Sequence, residues 1–452
     1  MQSIAQIYFD LEMFVQLLCK KTHLFAQLQI SNKKKMKQVT ILFLLLFCFQ
    51  LLTISCSQKP QEDVLSSFDL SITNPLDETR IDAFVLIEEK ELLEKYPDFN
   101  PKGFIVYNNA VEIPSQYNQE GSDKGLAFVL PFLAANETLN LKVSYDPENE
   151  IKREYPKRTQ AELSHKFDGK FEGREYIGGE FRNVNELHVP KEHTDHSWFI
   201  RYEGPGWESD KVGYRFYLDW RNGVDVFGKQ VSDNVLQDVG GDGFDSYHEI
   251  NDWGMDVLKV GKSLGVGSIA TFENELARRV DVTDSLYAAI TNNGVIYSSV
   301  LTKYYGWDVE SGKTDLTSNL SIHAGTRLSK QVLTSSAPIE NYATGLIKDE
   351  KAELLVGGED QTYGYMASYG KQSLNDDNLG IVVFFRNDQK MQITEDPFSH
   401  VVVLKPNNNA ITYYFAAAWE LEPEGITEIE GFKAFLDKTV RELSNPVQIS
   451  LN

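Results

Sequence analysis

Alternation of apolar and polar side chains over residues 213–221 is the feature that most constrains the fold, because a two-residue period is the signature of a β-strand. The apolar face carries Phe216, Leu218 and Trp220, and the polar face carries Arg215, Tyr217, Asp219 and Arg221. Side chains on one face of a strand are about 6.6 Å apart, so the four polar ones would follow a ligand about 20 Å long. We therefore predict that this strand forms the floor of a polar cleft with the length of a short oligosaccharide. The alternative is that these groups make structural ion pairs with a neighbouring strand.

The residues on either side of this strand extend its polar character. Segment 204–210 has the Gly and Pro content of a turn, and it places Trp207, Glu208 and Asp210 at the start of the strand. Lys229 follows the strand and adds a third cation to its two arginines. All four side chains are candidates for binding a sugar.

A second unusual segment, residues 237–255, collects acidic and aromatic side chains. Its candidate site residues are Asp242, Asp245, His248, Asp252 and Trp253. The first two aspartates could hold a structural calcium ion, although their spacing does not fit an EF-hand. The segment is equally consistent with an active-site loop, and the third possibility is a solvated acidic turn.

The spacing of strand-like runs predicts a mainly β protein. Short runs separated by turn signals indicate an N-terminal immunoglobulin-like sandwich, and longer runs rich in Tyr, Val and Ile indicate a large antiparallel β-sandwich after it. Apolar residues at helical spacing over 427–443 predict one late helix on the outside of a sheet. The predicted organisation is a leader at 1–55, a tether at 56–66, the small sandwich at 67–146, a linker at 147–157 and the large sandwich at 158–452.

The N-terminal region has the pattern of a secretory signal. Basic residues precede an apolar run at 39–54, and Ser55 and Cys56 follow it. This resembles the lipobox of bacterial lipoproteins, which implies that Cys56 is lipidated (for example by palmitate) and that the chain is anchored in the cell envelope, at the outer membrane or on the periplasmic side. Met36 is then a candidate for the true start. The alternative is a single transmembrane anchor, for which the apolar run is short.

Charge and cysteine content exclude several classes of function. The formal net charge of −22 opposes nucleic acid, and an acidic polysaccharide would need a local cationic pocket. All three Cys lie within the first 56 residues, so the body of the protein has none for a disulfide or a thiolate zinc site. His193 and His196 lack zinc-site spacing, so we expect no metal cofactor. The Gly-rich run 259–270 does not match a phosphate loop, so we expect no nucleotide.

Four motifs together resemble the family called domain of unknown function 4861. They are Trp-Glu-Ser-Asp at 207–210, Tyr-Arg-Phe-Tyr-Leu-Asp-Trp-Arg at 214–221, Asp-Val-Phe-Gly-Lys at 225–229 and His-Glu-Ile-Asn-Asp-Trp-Gly-Met-Asp at 248–256. The resemblance implies an exported Bacteroidetes protein from a locus that degrades plant or algal polysaccharide. It also implies work on uronic-acid oligosaccharides such as ulvan fragments, with a dehydratase among similar proteins, and a galactose-mutarotase-like supersandwich.

Elimination across C4 and C5 of a uronate needs a cation for the carboxylate, a base for the C5 proton and an acid for the leaving oxygen. We assign these three roles to Arg215 (or Arg221), His248 and Tyr217, respectively. Histidine suits the base because its ordinary pKa is near neutrality. The predicted substrate-binding residues are Trp207, Glu208, Asp210, Asp219, Arg221, Lys229, Asp252 and Trp253.

Two other functions remain open from the sequence. A glycoside hydrolase would need two carboxylates roughly 5 to 9.5 Å apart, with Glu208, Asp210 and Asp252 as candidates. A tethered lipoprotein that binds anionic oligosaccharides without converting them would use the same aromatic and charged side chains.

Overall fold

The computed structural model describes residues 65–244 and 246–452. The predicted leader, most of the tether, Cys56 and Asp245 lie outside the described residues. In the described part of the chain, no helix combines the length and apolar character needed to cross a membrane.

Antiparallel strands make up most of this part of the chain. In chain order they are β1 (Ser66–Thr73), β2 (Arg80–Glu88), β3 (Phe104–Asn108), β4 (Val111–Ile113), β5 (Ser115–Asn118), β6 (Gly125–Leu133), β7 (Thr138–Tyr145), β8 (Thr159–Glu162), β9 (Ser164–Glu172), β10 (Glu175–Asn183), β11 (Glu186–His188), β12 (Gly206–Ser209), β13 (Val212–Phe216), β14 (Val224–Lys229), β15 (Gly254–Asp256), β16 (Ala270–Glu273), β17 (Leu276–Arg279), β18 (Ser285–Asn293), β19 (Tyr297–Val309), β20 (Gly312–His323), β21 (Leu328–Ser335), β22 (Tyr342–Ile347), β23 (Ala352–Gly357), β24 (Tyr363–Gly370), β25 (Leu379–Arg386), β26 (Lys390–Glu395), β27 (Ser399–Leu404), β28 (Ala410–Trp419) and β29 (Gln448–Leu451). The α-helices are α1 (Glu89–Lys95) and α2 (Ile429–Ser444), and short 3-10 helices span Arg201–Glu203, Leu236–Asp238 and Ser246–His248.

The N-terminal region is a small sandwich of two sheets. A five-stranded sheet, in the order β29-β1-β7-β3-β4, faces a three-stranded sheet in the order β2-β6-β5. In β1 the alternation places Phe68, Leu70 and Ile72 in the core and their neighbours toward solvent. These residues pack with inward-facing side chains of the second sheet in a core of their own.

The chain end returns to this small sandwich. β29 pairs antiparallel with β1, so that Leu451 lies opposite Leu70 and Gln448 lies opposite Thr73. The sequence assigned these last residues to the large sandwich, whereas the structure places them at the edge of the first sheet.

The large region is built on a nine-stranded antiparallel sheet. Its order is β11-β18-β19-β20-β21-β28-β25-β24-β23, and two five-stranded sheets, β15-β14-β13-β12-β8 and β17-β16-β22-β27-β26, accompany it. Tyr214 of β13 packs edge-on against Phe415 of β28, with ring centroids 5.6 Å apart, within the largest hydrophobic core. Helix α2 buries Phe432, Leu436 and Val440 against strands β24 and β25. The predicted mainly β architecture with a late helix is therefore confirmed.

Candidate active site

The strand that carries Arg215 is shorter than the sequence predicts. Residues 217–223 leave β13 and form a turn into β14. The Asp219 carboxylate closes this turn by accepting a hydrogen bond from the Arg221 backbone N–H (2.8 Å), a local bond that competes with strand extension. The predicted continuous strand is wrong, since Asp219 and Arg221 lie in the turn. Trp220, expected on the buried face, is 54% exposed.

Arg215 is the centre of a buried hydrogen-bonded network. The residue is 2% exposed, and its guanidinium donates to Asp225 of β14 (2.9 Å) and to Asp256 of β15 (2.6 Å). It also donates to the Tyr247 hydroxyl (2.9 Å) and the Tyr202 carbonyl (3.4 Å). Because these donors are used inside the protein, Arg215 cannot pair with a substrate carboxylate as the sequence suggested. It holds two carboxylates together instead.

Tyr217 and His248 reach the same pair of carboxylates from two directions. The Tyr217 hydroxyl donates to Asp225 (2.6 Å), and His248 Nε2 lies 3.4 Å from an Asp256 oxygen. The structure thus brings the three side chains nominated as catalytic to one carboxylate pair. Tyr217 is buried, whereas the His248 side chain is 41% exposed, so solvent and a ligand reach the network most directly at His248.

The surroundings change the proton affinity of each group. Burial raises the pKa of Asp225 to about 7, and the charge of Asp256 adds to the effect. The hydrogen bond to Asp256 raises the pKa of His248, although burial opposes it. Burial, followed by the charge of Asp225, raises the pKa of Tyr217 well above its ordinary value. The tyrosine is therefore protonated at neutral pH, where Asp225 can give or accept a proton.

A second cluster of charges adjoins the first. Arg221 donates to Asp219 (2.6 Å) and Glu203 (2.7 Å), lies 2.8 Å from Asp195, and covers the Tyr217 ring at 4.1 Å. Glu203 is also 3.9 Å from Arg215, so it joins the two clusters. Burial opposes ionisation of Glu203, but the two arginines outweigh burial and lower its pKa.

Backbone conformation around this second cluster is unusual. His196, Trp198, Tyr202 and Glu203 all have positive φ, between 38° and 72°. Such angles are uncommon for residues other than glycine, and for bulky side chains they are costly. Because four such residues lie within one short segment beside a polar network, the backbone geometry itself supports a functional assignment.

A cavity of about 520 Å³ opens beside His196. Its walls include Lys166, Glu175, Tyr176, His196, Trp198 and Phe244. Cavities that bind small ligands usually measure roughly 300 to 1,000 Å³. The volume therefore suits a sugar residue, next to the cluster of Arg221 and Glu203.

Four of the predicted sugar-binding side chains take structural roles instead. Trp207 is 1% exposed, and its indole N–H donates to a serine of β21 (2.8 Å). Glu208 and Lys229 form a fully buried ion pair with Oε2 and Nζ 2.7 Å apart. Asp210 pairs with Arg158 (2.6 Å) and accepts a backbone hydrogen bond. These contacts replace the predicted contacts with a ligand.

Only part of the acidic segment, residues 237–255, belongs to the site. Asp252 is exposed, and Trp253 packs half-buried against Phe227, with ring centroids 5.9 Å apart. Asp242 is exposed and accepts a hydrogen bond from Ser246, while its suggested calcium partner Asp245 lies outside the described residues. The calcium site stays a prediction.

Among the described residues, Asp195, His196 and Glu203 form a group of metal-ligand type, with ligand atoms within 4.8 Å of one another. Arg221 already pairs with Asp195 and Glu203. The positive charge that a metal would bring is thus supplied by a guanidinium.

Sequence reasoning missed Asp225, Asp256 and Arg279. The available signal for Asp225 was a carboxylate at an inward position of a strand whose other residues are mainly apolar.

Arg279 is half-buried, donates only to backbone carbonyls of Gly261 and Ser263, and makes no ion pair within residues 65–244 and 246–452. Its Nη1 and the Tyr217 ring each lie 3.4 Å from the position that a Gly223 Cβ would occupy. A cation without a carboxylate partner therefore stands beside Tyr217.

Comparison with solved structures gives distant similarities. A protein of glycosyl hydrolase family 38 from Enterococcus faecalis is 8% identical with a TM-score of 0.38, and the match covers 91% of this chain and 50% of that protein. An alpha-mannosidase from Enterococcus faecalis V583 is 9% identical with a TM-score of 0.43, and the match covers 91% of this chain and 48% of that protein. The chain thus spans about half the length of these proteins, and likenesses this weak do not define a function.

No curated protein matches the chain significantly in sequence. The family described as Domain of unknown function (DUF4861) matches residues 72–449, which cover most of both sandwiches and every residue of the Arg215 network. This extent confirms the resemblance carried by the four motifs, and the chain belongs to the family Domain of unknown function (DUF4861).

Proposed function

We propose that the protein is a carbohydrate-active lyase or dehydratase that eliminates water or a sugar across C4 and C5 of a terminal uronate, in oligosaccharides of the ulvan type. The observation that carries the proposal is the arrangement of His248 and Tyr217 on the carboxylate pair that Arg215 holds together. A base and an acid with contrasting environments, joined by a buried network, suit a reaction that moves two protons.

His248 is the proposed base. Its Nε2 faces Asp256, so a proton on Nε2 leaves Nδ1 with a lone pair for the C5 hydrogen. Asp256 then stabilises the imidazolium that forms, as the carboxylate does in other Asp–His pairs. The half-exposed position of the ring gives a substrate access to it.

Tyr217 is the proposed acid. As the C5–H electrons form the C4–C5 double bond, the C4–O bond breaks and the leaving oxygen takes the phenolic proton. Asp225, hydrogen-bonded to this hydroxyl at 2.6 Å, can return a proton to the tyrosine, because its pKa is about 7.

Arg279 is the proposed partner of the uronate carboxylate. Negative charge builds on this carboxylate as the C5 proton leaves, and a nearby cation stabilises it. Arg215 and Arg221 are already paired with carboxylates, whereas Arg279 lies beside Tyr217 with only carbonyl partners.

The hydrolytic alternative has less support. Glu208 is buried against Lys229, and Asp210 is paired with Arg158, so two of its three candidate carboxylates are committed to structural contacts. A binding protein without activity stays an alternative outcome of the test below.

The test is to incubate the purified protein with mixed uronate oligosaccharides and to record product mass and ultraviolet absorbance. Dehydration lowers the mass by one water, and either elimination creates a conjugated, absorbing double bond. His248→Gln is expected to lower kcat/KM about 100-fold or more, whereas the exposed His188→Gln is a matched control. A saturated reducing sugar as product, or no product at all, would refute elimination.

The pH dependence of kcat/KM provides a second test of the proposed base. The base must be neutral, so kcat/KM is expected to rise with pH through the raised pKa of His248. Asp256→Asn removes the interaction that raises this pKa, and the acid limb should move to lower pH. An unchanged limb would exclude His248 as the base.

A further inference from the structure

Lys166 is a buried cation at the wall of the cavity. It lies on β9 with 8% of its surface exposed, and it contributes to the lining together with His196 and Trp198. Lysine is rarely buried to this degree unless a carboxylate accompanies it. Within residues 65–244 and 246–452, however, its ammonium makes neither an ion pair nor a hydrogen bond with another side chain. The cavity thus contains an uncompensated positive charge.

The aromatic contacts of Lys166 compensate for burial only in part. Its Nζ lies 3.7 Å from the centre of the Trp198 ring and 5.2 Å from that of Phe181. Burial lowers its pKa, and no nearby carboxylate opposes the effect. Glu175 also lines the cavity, but it is exposed and lies outside ion-pair distance of Lys166. These cation–π contacts orient the ammonium but offer it no hydrogen-bond acceptor, so its N–H groups are open to a ligand in the cavity.

The aromatic side chains of the cavity lining suit the apolar face of a sugar ring. Trp198 and Phe244 lie with ring centroids 6.1 Å apart, and Tyr176 belongs to the same lining. Trp198 is held with φ at 54°, a conformation that the surrounding structure must enforce. Aromatic faces beside a buried cation form a site for a ring that carries an anionic group.

We propose that this cavity is a subsite for an anionic sugar residue, whose carboxylate or sulfate group pairs with the Lys166 ammonium while its ring packs on Trp198 and Phe244. The inference rests on the proposed function for its ligand class, an anionic oligosaccharide. Through His196 the cavity adjoins Glu203, which lies between Arg221 and Arg215. The subsite therefore holds a residue of the oligosaccharide next to the one that reacts.

The experiment measures binding to a non-converting protein. Full chains carrying His248→Gln are titrated by calorimetry with three probes. Two are charged, a glucuronate-containing trisaccharide and an otherwise neutral trisaccharide that carries one sulfate ester, and the third is the uncharged methyl ester of the glucuronate probe. Lys166→Met keeps the apolar stem and removes the charge, and Lys166→Arg restores it. Lys170→Met, an exposed lysine on the same strand, is the matched control.

The expected result is a loss of affinity of about tenfold to a hundredfold in Lys166→Met for the charged probes, because one charge-assisted hydrogen bond is removed. The methyl ester should bind Lys166→Met and its parent with the same affinity. Lys166→Arg should recover most of the affinity for the charged probes. A preference between the free carboxylate and the sulfate ester identifies which oxyanion the subsite takes. Trp198→Phe should weaken all three probes, because each of them packs on this ring.

Two results would overturn the subsite. One is equal affinity of Lys166→Met and its parent for the charged probes, and the other is that neither charged probe binds. Failure of the proposed function looks different: the protein with His248 intact would bind the charged probes in a Lys166-dependent manner and convert none. Conversely, elimination with a KM unaffected by Lys166→Met would leave the proposed function standing and remove the subsite.

Discussion

Asp225 and Asp256 face the same guanidinium, so the fold holds two buried carboxylates against one cation. A single positive charge in a poorly solvated site stabilises one anion better than two. Burial is the larger physical reason why the pKa of Asp225 is raised to about 7, and the charge of Asp256 adds to it.

This arrangement predicts how stability depends on pH. The pKa of Asp225 is about 7 in the folded protein and about 3.9 in an unfolded chain. Between these values the folded state binds more protons, so this group lowers the free energy of unfolding as pH rises from about 4 to 7. Asp225→Asn removes the titration. From about pH 5 to pH 7, its free energy of unfolding should rise relative to the natural protein by up to about 2 kcal/mol.

Urea denaturation of both proteins at the two pH values measures this difference. Asp233→Asn, at an exposed position, is the control and should show no such trend. A pH-independent difference between Asp225→Asn and the natural protein would mean that Asp225 is ionised throughout this range.

At the scale of elements, strands β12, β13 and β14 show what an alternating sequence pattern can and cannot predict. Every residue of these strands is buried, because the strands are central in their sheet and covered on both faces. Their polar side chains therefore meet partners from other strands: Glu208 meets Lys229, and Arg215 meets Asp225 and Asp256.

The sequence predicts the mainly β class, but not the partners of its polar side chains. Alternation tells which side chains share a face of a strand, and this held for Phe68, Leu70 and Ile72. It does not tell what covers that face, so the pattern predicts Trp207 and Lys229 as cleft residues, whereas the structure places both in the core. Alternation also does not predict the turn at Asp219, because this turn depends on one local hydrogen bond from the Arg221 backbone N–H to the Asp219 side chain.

The pair of Glu208 and Lys229 yields a prediction for this sheet. Lys229→Met leaves Glu208 as an uncompensated buried anion and should lower the free energy of unfolding by about 3 to 5 kcal/mol. Adding Glu208→Gln removes the charge while keeping an acceptor for the backbone N–H groups of Val235 and Leu236. The double variant should therefore recover at least about 1 kcal/mol.

Equilibrium denaturation of the single and double variants gives both values. Lys211→Met serves as the control, because its partner Glu424 is exposed and such surface pairs contribute at most about 1 kcal/mol. A double variant less stable than Lys229→Met would show that the anion was not the source of the cost.

At the scale of the whole molecule, an acidic chain has to bind the proposed anionic ligand through local cations. The net charge of −22 repels an anionic oligosaccharide at long range, but salt screens exposed charges beyond about 8 Å at physiological ionic strength. Lys166 and Arg279, which have no carboxylate partner among the described residues, act within that distance. The proposed recognition of an acidic sugar therefore has to come from these positions and not from the overall charge.

The C-terminal strand connects the large region to the small sandwich. β29 covers the edge of β1, and Val447, Ile449 and Leu451 pack against the core of the small sandwich. Helix α2, which packs on the nine-stranded sheet, leads directly into this strand. The last strand therefore belongs to the small sandwich, although it follows a helix that packs on the large one.

A chain that stops after Asn445 tests this coupling. Loss of β29 exposes the edge of β1 and removes its apolar cover, so amides of β1 should exchange with solvent faster by about tenfold or more. Amides in the middle of the nine-stranded sheet, such as those of β20, should keep their protection, because that sheet has its own core. Hydrogen exchange followed by mass spectrometry resolves the two regions. In the control, Gln448→Ala with Ser450→Ala, only the exposed side chains of β29 change, and β1 should stay protected. Equal protection of β1 in the truncated and complete chains would mean that the small sandwich closes its edge without the C-terminal strand.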